Sequence, residues 1–279
     1  MIKRTYYSIR TGTGSTEKKI DFDTLKKIFS TVFKKLWVEG YFQQHFGIDC
    51  TDGYQPGELG EEIDAMIYVN LRKHNLYPVP ENLPNYTEED LFDVIEFLHD
   101  HCSKGITGFH HAWNNCGYHY HEFNDFVGRK YYRELLNPIL REFNDGFEIS
   151  EGGEILSLAG QGLSNLFEAN IPTTDTQNIT DKMNNAILKF RRYKSTLEDR
   201  REAVRELADV LEFLRPNIKE HLDKKDEGDL FNIANNFGIR HHNKEQKTDY
   251  DKAIWYSWIF YHYLATIHTV LRMINKGQS

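Results

Sequence analysis

Arginine and histidine stand side by side at Arg240, His241 and His242, flanked by Asn236 and Asn243, in a polar stretch running from Asn232 to Gln246. A guanidinium offers a forked, permanently charged donor that matches phosphate oxygens, and imidazole exchanges a proton near neutral pH. Together they suit metal-free RNA cleavage. One base removes the 2′-hydroxyl proton, the oxygen attacks the adjacent phosphorus, and an acid protonates the departing 5′-oxygen. Arginine would stabilise the charge gained in the transition state, and the asparagines would orient these groups. The structural alternative has Asn235 and Asn236 ending a helix at Gly238 while Arg240 and the histidines pair with acidic surface groups.

Lys189, Arg191, Arg192 and Lys194, with Arg200, form a basic group in an otherwise acidic chain and could follow an RNA backbone. Their alternative is surface pairing with Glu198, Asp199 and Glu202. A second chemically rich set comprises His99, His101, Cys102, His110, His111, Cys116, His119 and His121. Cys102, Cys116, His119 and His121 have the donor types of a tetrahedral zinc site. The spacing is poor, however, because a zinc finger opens on two closely spaced cysteines. An aromatic, hydrogen-bonded loop is the expectation. Asp90, Asp93 and Glu96, near Asp100, could suggest magnesium but fit a solvated helix face. No metal ligand and no cofactor is therefore expected.

The 279 residues, 39% hydrophobic and 27% charged, carry enough aromatic surface to fold, in two regions around separate or partly merged cores. A net charge of -8 excludes a protein that coats nucleic acid through a basic face, while leaving room for a local basic pocket. Three widely spaced cysteines make no disulfide framework, and the start does not read as a signal peptide. A cytoplasmic location follows. The most apolar stretch, Ala253 to Ile274, contains His262, His268 and Arg272, which speaks against a membrane span and for a helix buried in a bundle or at a subunit interface.

The elements that must position these residues are mainly helices. Apolar spacing predicts helices over Phe22 to about Gln44, with Gly40 near the end, and more weakly over Glu61 to His74. The Thr87 to Asp90 capping box opens a third, to about His101, and Asn124 to Phe143 a fourth, bent at Pro138. Thr5 to Ile9 could form a short strand, Phe46 to Gly60 reads as a loop, and Glu148 to Ala159 as a small hairpin or a turn. The polar run 171–180 suggests a boundary, giving a helical N-terminal region, 1–175, and a C-terminal module, 176–279. Within the module, helices are expected at Met183 to Phe190, from a Ser195 to Glu198 capping box to about Leu214 with Pro216 beyond it, at Asp226 to Phe237, and after Thr248 to Asp251. Short links suggest an antiparallel four-helix bundle.

From about Asn184 to Ile274 the chain resembles the HEPN superfamily of helical-bundle proteins, many of them RNases of toxin–antitoxin and abortive-infection defence. The resemblance rests on the bundle order, on Gly238-Ile-Arg-His-His-Asn243 between the last two long helices, and on the aromatic helix Trp255 to Leu264. Arg240 and His241 match the first two motif positions. The family's later histidine is absent from Lys244-Glu245-Gln246, so the proton-transfer role is open between His241 and His242. The resemblance implies a metal-independent endoribonuclease acting as a defence effector or toxin. It also implies a symmetric dimer whose Arg–His sets face one cleft, with the N-terminal region as regulator, sensor or substrate selector. A non-catalytic dimerisation or binding module is the alternative. Trp255, Trp258, Ile259 and Tyr263 supply more apolar positions than one buried stripe needs, as a dimer face would.

Overall fold

The computed structural model describes residues 6–11, 19–158, 163–237, 239 and 250–277. The protein is mainly α-helical, with small two-stranded sheets, and divides into two compact units, 1–157 and 158–279. The division thus falls ahead of the polar run 171–180, which goes with the second unit.

The first unit runs α1 (Tyr7–Thr11), α2 (Phe22–Val38), α3 (Gln43–Phe46), β1 (Ile48–Cys50), β2 (Gly53–Gln55), α4 (Ile63–Leu71), α5 (Val79–Asn82) and α6 (Glu88–Asp100). It continues with β3 (Lys104–His111), β4 (Gly117–Asn124), α7 (Asp125–Leu140), β5 (Phe147–Ile149) and β6 (Ile155–Ser157). Side-chain caps start its long helices. Asp21 accepts from the Thr24 amide at 2.7 Å, Asn124 accepts from Val127 at 3.0 Å, and Thr87 and Asp90 form the reciprocal box expected of them. The apolar stripes then meet: Leu25, Phe29, Phe33 and Leu36 of α2, Leu91, Ile95 and Leu98 of α6, and Tyr132, Leu136 and Leu140 of α7 are buried. The Tyr132 hydroxyl donates to the Ile95 carbonyl at 3.0 Å, satisfying the one polar atom that this ring brings into the core.

Three expectations change here. Residues 7–11 are helical, so the strand proposed over Thr5 to Ile9 does not form in its described part. The loop from Phe46 to Gly60 contains the β1–β2 hairpin, turned at Thr51-Asp52 with Gly53 at φ +119°. The histidine-rich loop is the β3–β4 hairpin, whose register shifts between Gly105 and Thr107 and again between Thr107 and Gly108.

The second unit contains α8 (Ser164–Glu168), α9 (Asp181–Arg191), α10 (Leu197–His221), α11 (Lys224–Asn236) and α12 (Lys252–Gly277). Helix α10 is central. Its Val204, Leu207, Leu211, Leu214 and Ile218 share one core with Met183, Ala186, Ile187 and Phe190 of α9 and with Ile259, Phe260, Tyr263, Leu264 and Ile267 of α12. Phe190 stacks on Phe260 at 3.9 Å and 8°. The capping box lies one residue later than the sequence suggests, at Thr196 and Asp199, because Thr196 rather than Ser195 reaches the third amide of the helix. Pro216 lies inside α10 and not beyond it. Buried Leu214 and Ile218 carry the apolar stripe past the proline, and that packing offsets the lost backbone bond.

Candidate functional site

Arg240, His241, His242 and Asn243 lie outside the described residues, between α11 and α12. Helix α11 ends at the exposed Asn236, and the Phe237 amide donates to the Ile233 carbonyl at 3.2 Å. Ile239 is fully buried in the core of the unit, one residue before Arg240. On the far side the Tyr250 hydroxyl donates to the Phe237 carbonyl at 2.8 Å, and the Phe237 ring stacks on Trp255 at 4.9 Å. The Asp251 carboxylate itself caps α12, accepting from the amides of Ala253 and Ile254 at 3.0 and 3.1 Å, where the expected box had Thr248 as the cap; Thr248 lies outside the described residues. Phe237, Tyr250 and Trp255, from the two sides of residues 240–249, thus belong to one aromatic cluster. Arg215 steadies α11 from the side, binding Glu227 at 2.5 Å with its guanidinium over the Phe231 ring.

The basic residues are distributed around the end of α9. Lys189 is paired with Glu206 at 2.5 Å, a partner on α10 that the sequence did not single out. Arg191 covers the Phe167 ring, Arg200 covers Phe190, and Arg192 and Lys194 are exposed. Glu198 pairs with Arg201 and Glu202 with Arg205.

In the first unit, Cys102, Cys116, His119 and His121 do not converge. Cys102 is fully buried, and burial pushes its thiol up to about 12; His121 is exposed and lies 3.3 Å from the Thr107 hydroxyl. A different set does converge: one donor atom from each of Cys50, His111, Cys116 and His119 lies within 4.8 Å of all the others. Cys50 Sγ is 3.4 Å from His111 Nδ1, and Cys116 Sγ is 3.1 Å from His119 Nε2. Gln43 of α3 helps hold β4 in place, donating to the Tyr118 carbonyl at 3.0 Å and accepting from the Tyr120 amide at 2.6 Å. Gly57 allows β1–β2 to fold back, since a Cβ there would stand 2.4 Å from the His45 carbonyl carbon. Cys50 escaped the sequence reading because it sits in another hairpin, and only the Thr51-Asp52-Gly53 turn signal could have suggested that hairpin.

The carboxylates of α6 are individually engaged. Lys73 binds Asp90 at 2.9 Å and Asp93 at 2.7 Å, and Glu96 accepts from the Ile155 amide at 2.6 Å. Burial opposes the charge on Asp90, but hydrogen bonds from Lys73 and Thr87 outweigh it and lower its pKa; burial raises that of Glu96.

No family model, curated protein or solved structure matches the chain. Among the described residues, no helix is long and apolar enough to cross a membrane, α12 included.

Proposed function

We propose that the C-terminal unit is a metal-independent endoribonuclease of HEPN type serving as a defence effector or toxin, with the N-terminal unit selecting substrate or regulating it. The observation that carries this reading is that the described residues on either side of Arg240 belong to the packed bundle, with Ile239 buried in its core and the Tyr250 hydroxyl bonded to the Phe237 carbonyl, which supports a site built on rigid elements. Arg240 grips the scissile phosphate. His241 or His242 moves protons, taking one from the 2′-hydroxyl or giving one to the 5′-oxygen, and a 2′,3′-cyclic phosphate is left on the 5′ fragment. Asn236 or Asn243 orients the pair. Lys189, Arg191, Arg192 and Lys194 hold the RNA backbone, with Arg192 and Lys194 the most accessible of the four.

A second copy of the chain is the partner this reading requires. Ile259 and Tyr263, expected on the shared face, are buried within one chain, whereas Ile254, Trp255 and Trp258 of the same helix are 66%, 38% and 46% exposed. That exposed stripe favours dimerisation, and it is equally what a non-catalytic dimerisation module would carry.

The test is incubation of the full chain with total RNA in excess EDTA. Cleavage that persists and leaves cyclic-phosphate ends is expected, and Arg240→Ala should abolish it while leaving the far-UV spectrum and melting temperature unchanged. Intact RNA with the parental dimer selects the binding module; cleavage by Arg240→Ala at the parental rate refutes the mechanism.

A further inference from the structure

We propose that Cys50, His111, Cys116 and His119 bind one zinc ion as a closed tetrahedral site that pins the β1–β2 hairpin to the β3–β4 hairpin. Zinc lies about 2.3 Å from sulfur and about 2.0–2.1 Å from nitrogen, so its tetrahedral ligands stand about 3.3–3.8 Å apart. The four donors already fall close to that figure, with contacts of 3.1 and 3.4 Å and none beyond 4.8 Å. Two thiols and two imidazoles form a soft set that selects zinc over magnesium or calcium.

The surroundings fit a metal as well as the donors do. Asp52 places a carboxylate oxygen 3.8 Å from His111 Nε2, while Nδ1 of the same ring is the nitrogen that stands 3.4 Å from Cys50 Sγ. The Asp52 amide donates toward Cys50 Sγ across 3.4 Å, a contact from the turn that orients this sulfur. His119 is 5% exposed and stacked on Phe109 at 5.2 Å, and the other three donors are partly buried, as in a structural site without a vacant position. The β1–β2 hairpin has three residues per strand, and those of β2 are all exposed. So short a two-stranded ribbon is marginal in water without a further tie.

Zinc per chain is to be measured by elemental analysis on full-length protein purified under reducing conditions without chelator, beside the variants Cys50→Ser, Cys116→Ser and His121→Ala. One zinc per chain is expected in the parent and in His121→Ala, with at least a tenfold loss in both serine variants. Should those variants fold poorly, cobalt substitution of the parental protein provides an independent reading: two-thiolate charge-transfer bands and tetrahedral d–d bands are expected. A parent that neither contains zinc nor takes it up on titration overturns the proposal. Equal zinc in the parent and both serine variants does so too, as does a Cys50–Cys116 disulfide that persists in zinc-supplied protein kept under a reducing agent.

Discussion

The Tyr250 hydroxyl donates to the Phe237 carbonyl at 2.8 Å, joining the start of α12 to the end of α11 across the segment that carries Arg240. Tyr250→Phe removes that bond together with the hydroxyl's interaction with Tyr256 and keeps the ring. The second unit should lose about 1 kcal/mol in a denaturant melt. If the bond aligns the segment, single-turnover RNA cleavage should fall further than stability does, by up to about a hundredfold. An unchanged cleavage rate would show that the aromatic stacking alone suffices.

His241→Ala and His242→Ala should differ. The variant that loses the proton-transfer group should cleave RNA about a hundredfold to ten-thousandfold more slowly, and the other should stay near the parental rate. Arg240→Lys should remain strongly impaired, because a point charge does not reproduce a guanidinium fork on two phosphate oxygens. Initial rates on one defined RNA compare all three; recovery of full rate in the lysine variant would contradict a two-oxygen grip.

Trp258→Glu should convert a dimer to a monomer with little change in the melting temperature of the second unit, since the side chain is about half exposed in one chain. Light scattering at micromolar concentration reads the mass. Ile259→Glu, next along the helix, should instead unfold the unit, because Ile259 has no exposed surface. A parental protein of monomer mass removes the dimer from the proposal.

Acid should weaken the second unit before general acid unfolding begins. Burial lowers the pKa of His262 below 6.5, and burial with Arg272 nearby lowers that of His268. Both residues bind protons more readily unfolded than folded. Their neutral forms therefore favour the fold above pH 6.5, and stability falls as the pH drops from there toward the depressed folded values. Denaturant midpoints between pH 8 and pH 5 should show this, and His268→Leu should flatten the slope. A parental slope of zero over that range would contradict the assignment.

The helices were legible in the sequence because their burial is one-sided: Leu25, Phe29, Phe33 and Leu36 recur at helical spacing and all are buried. The β3–β4 hairpin was not, for the opposite reason. Its strands bury little, leaving Ile106, Phe109 and Tyr118 exposed, and two register shifts break the alternation that marks a strand. The capping boxes show a finer limit, since Thr87 was read correctly while Ser195 competed with its neighbour Thr196 for the same role. As for the candidate sites, Arg240 to Asn243 stand out by residue types crowded into one short stretch. Cys50 belongs to a set assembled across three dimensions, and its distance along the chain from His111 conceals the relation.

The contact between Cys50 and His111 joins positions 61 residues apart in the chain. A metal bridging them would act on the unfolded ensemble much as a covalent cross-link does. It would forbid the many coil conformations in which these positions drift apart, an entropic restriction of about 4 kcal/mol for a loop of this length in the chain-entropy model. The polypeptide between them contains α4, α5 and α6, so the segment that supplies much of the first core would fold as a tethered loop with fewer arrangements to search.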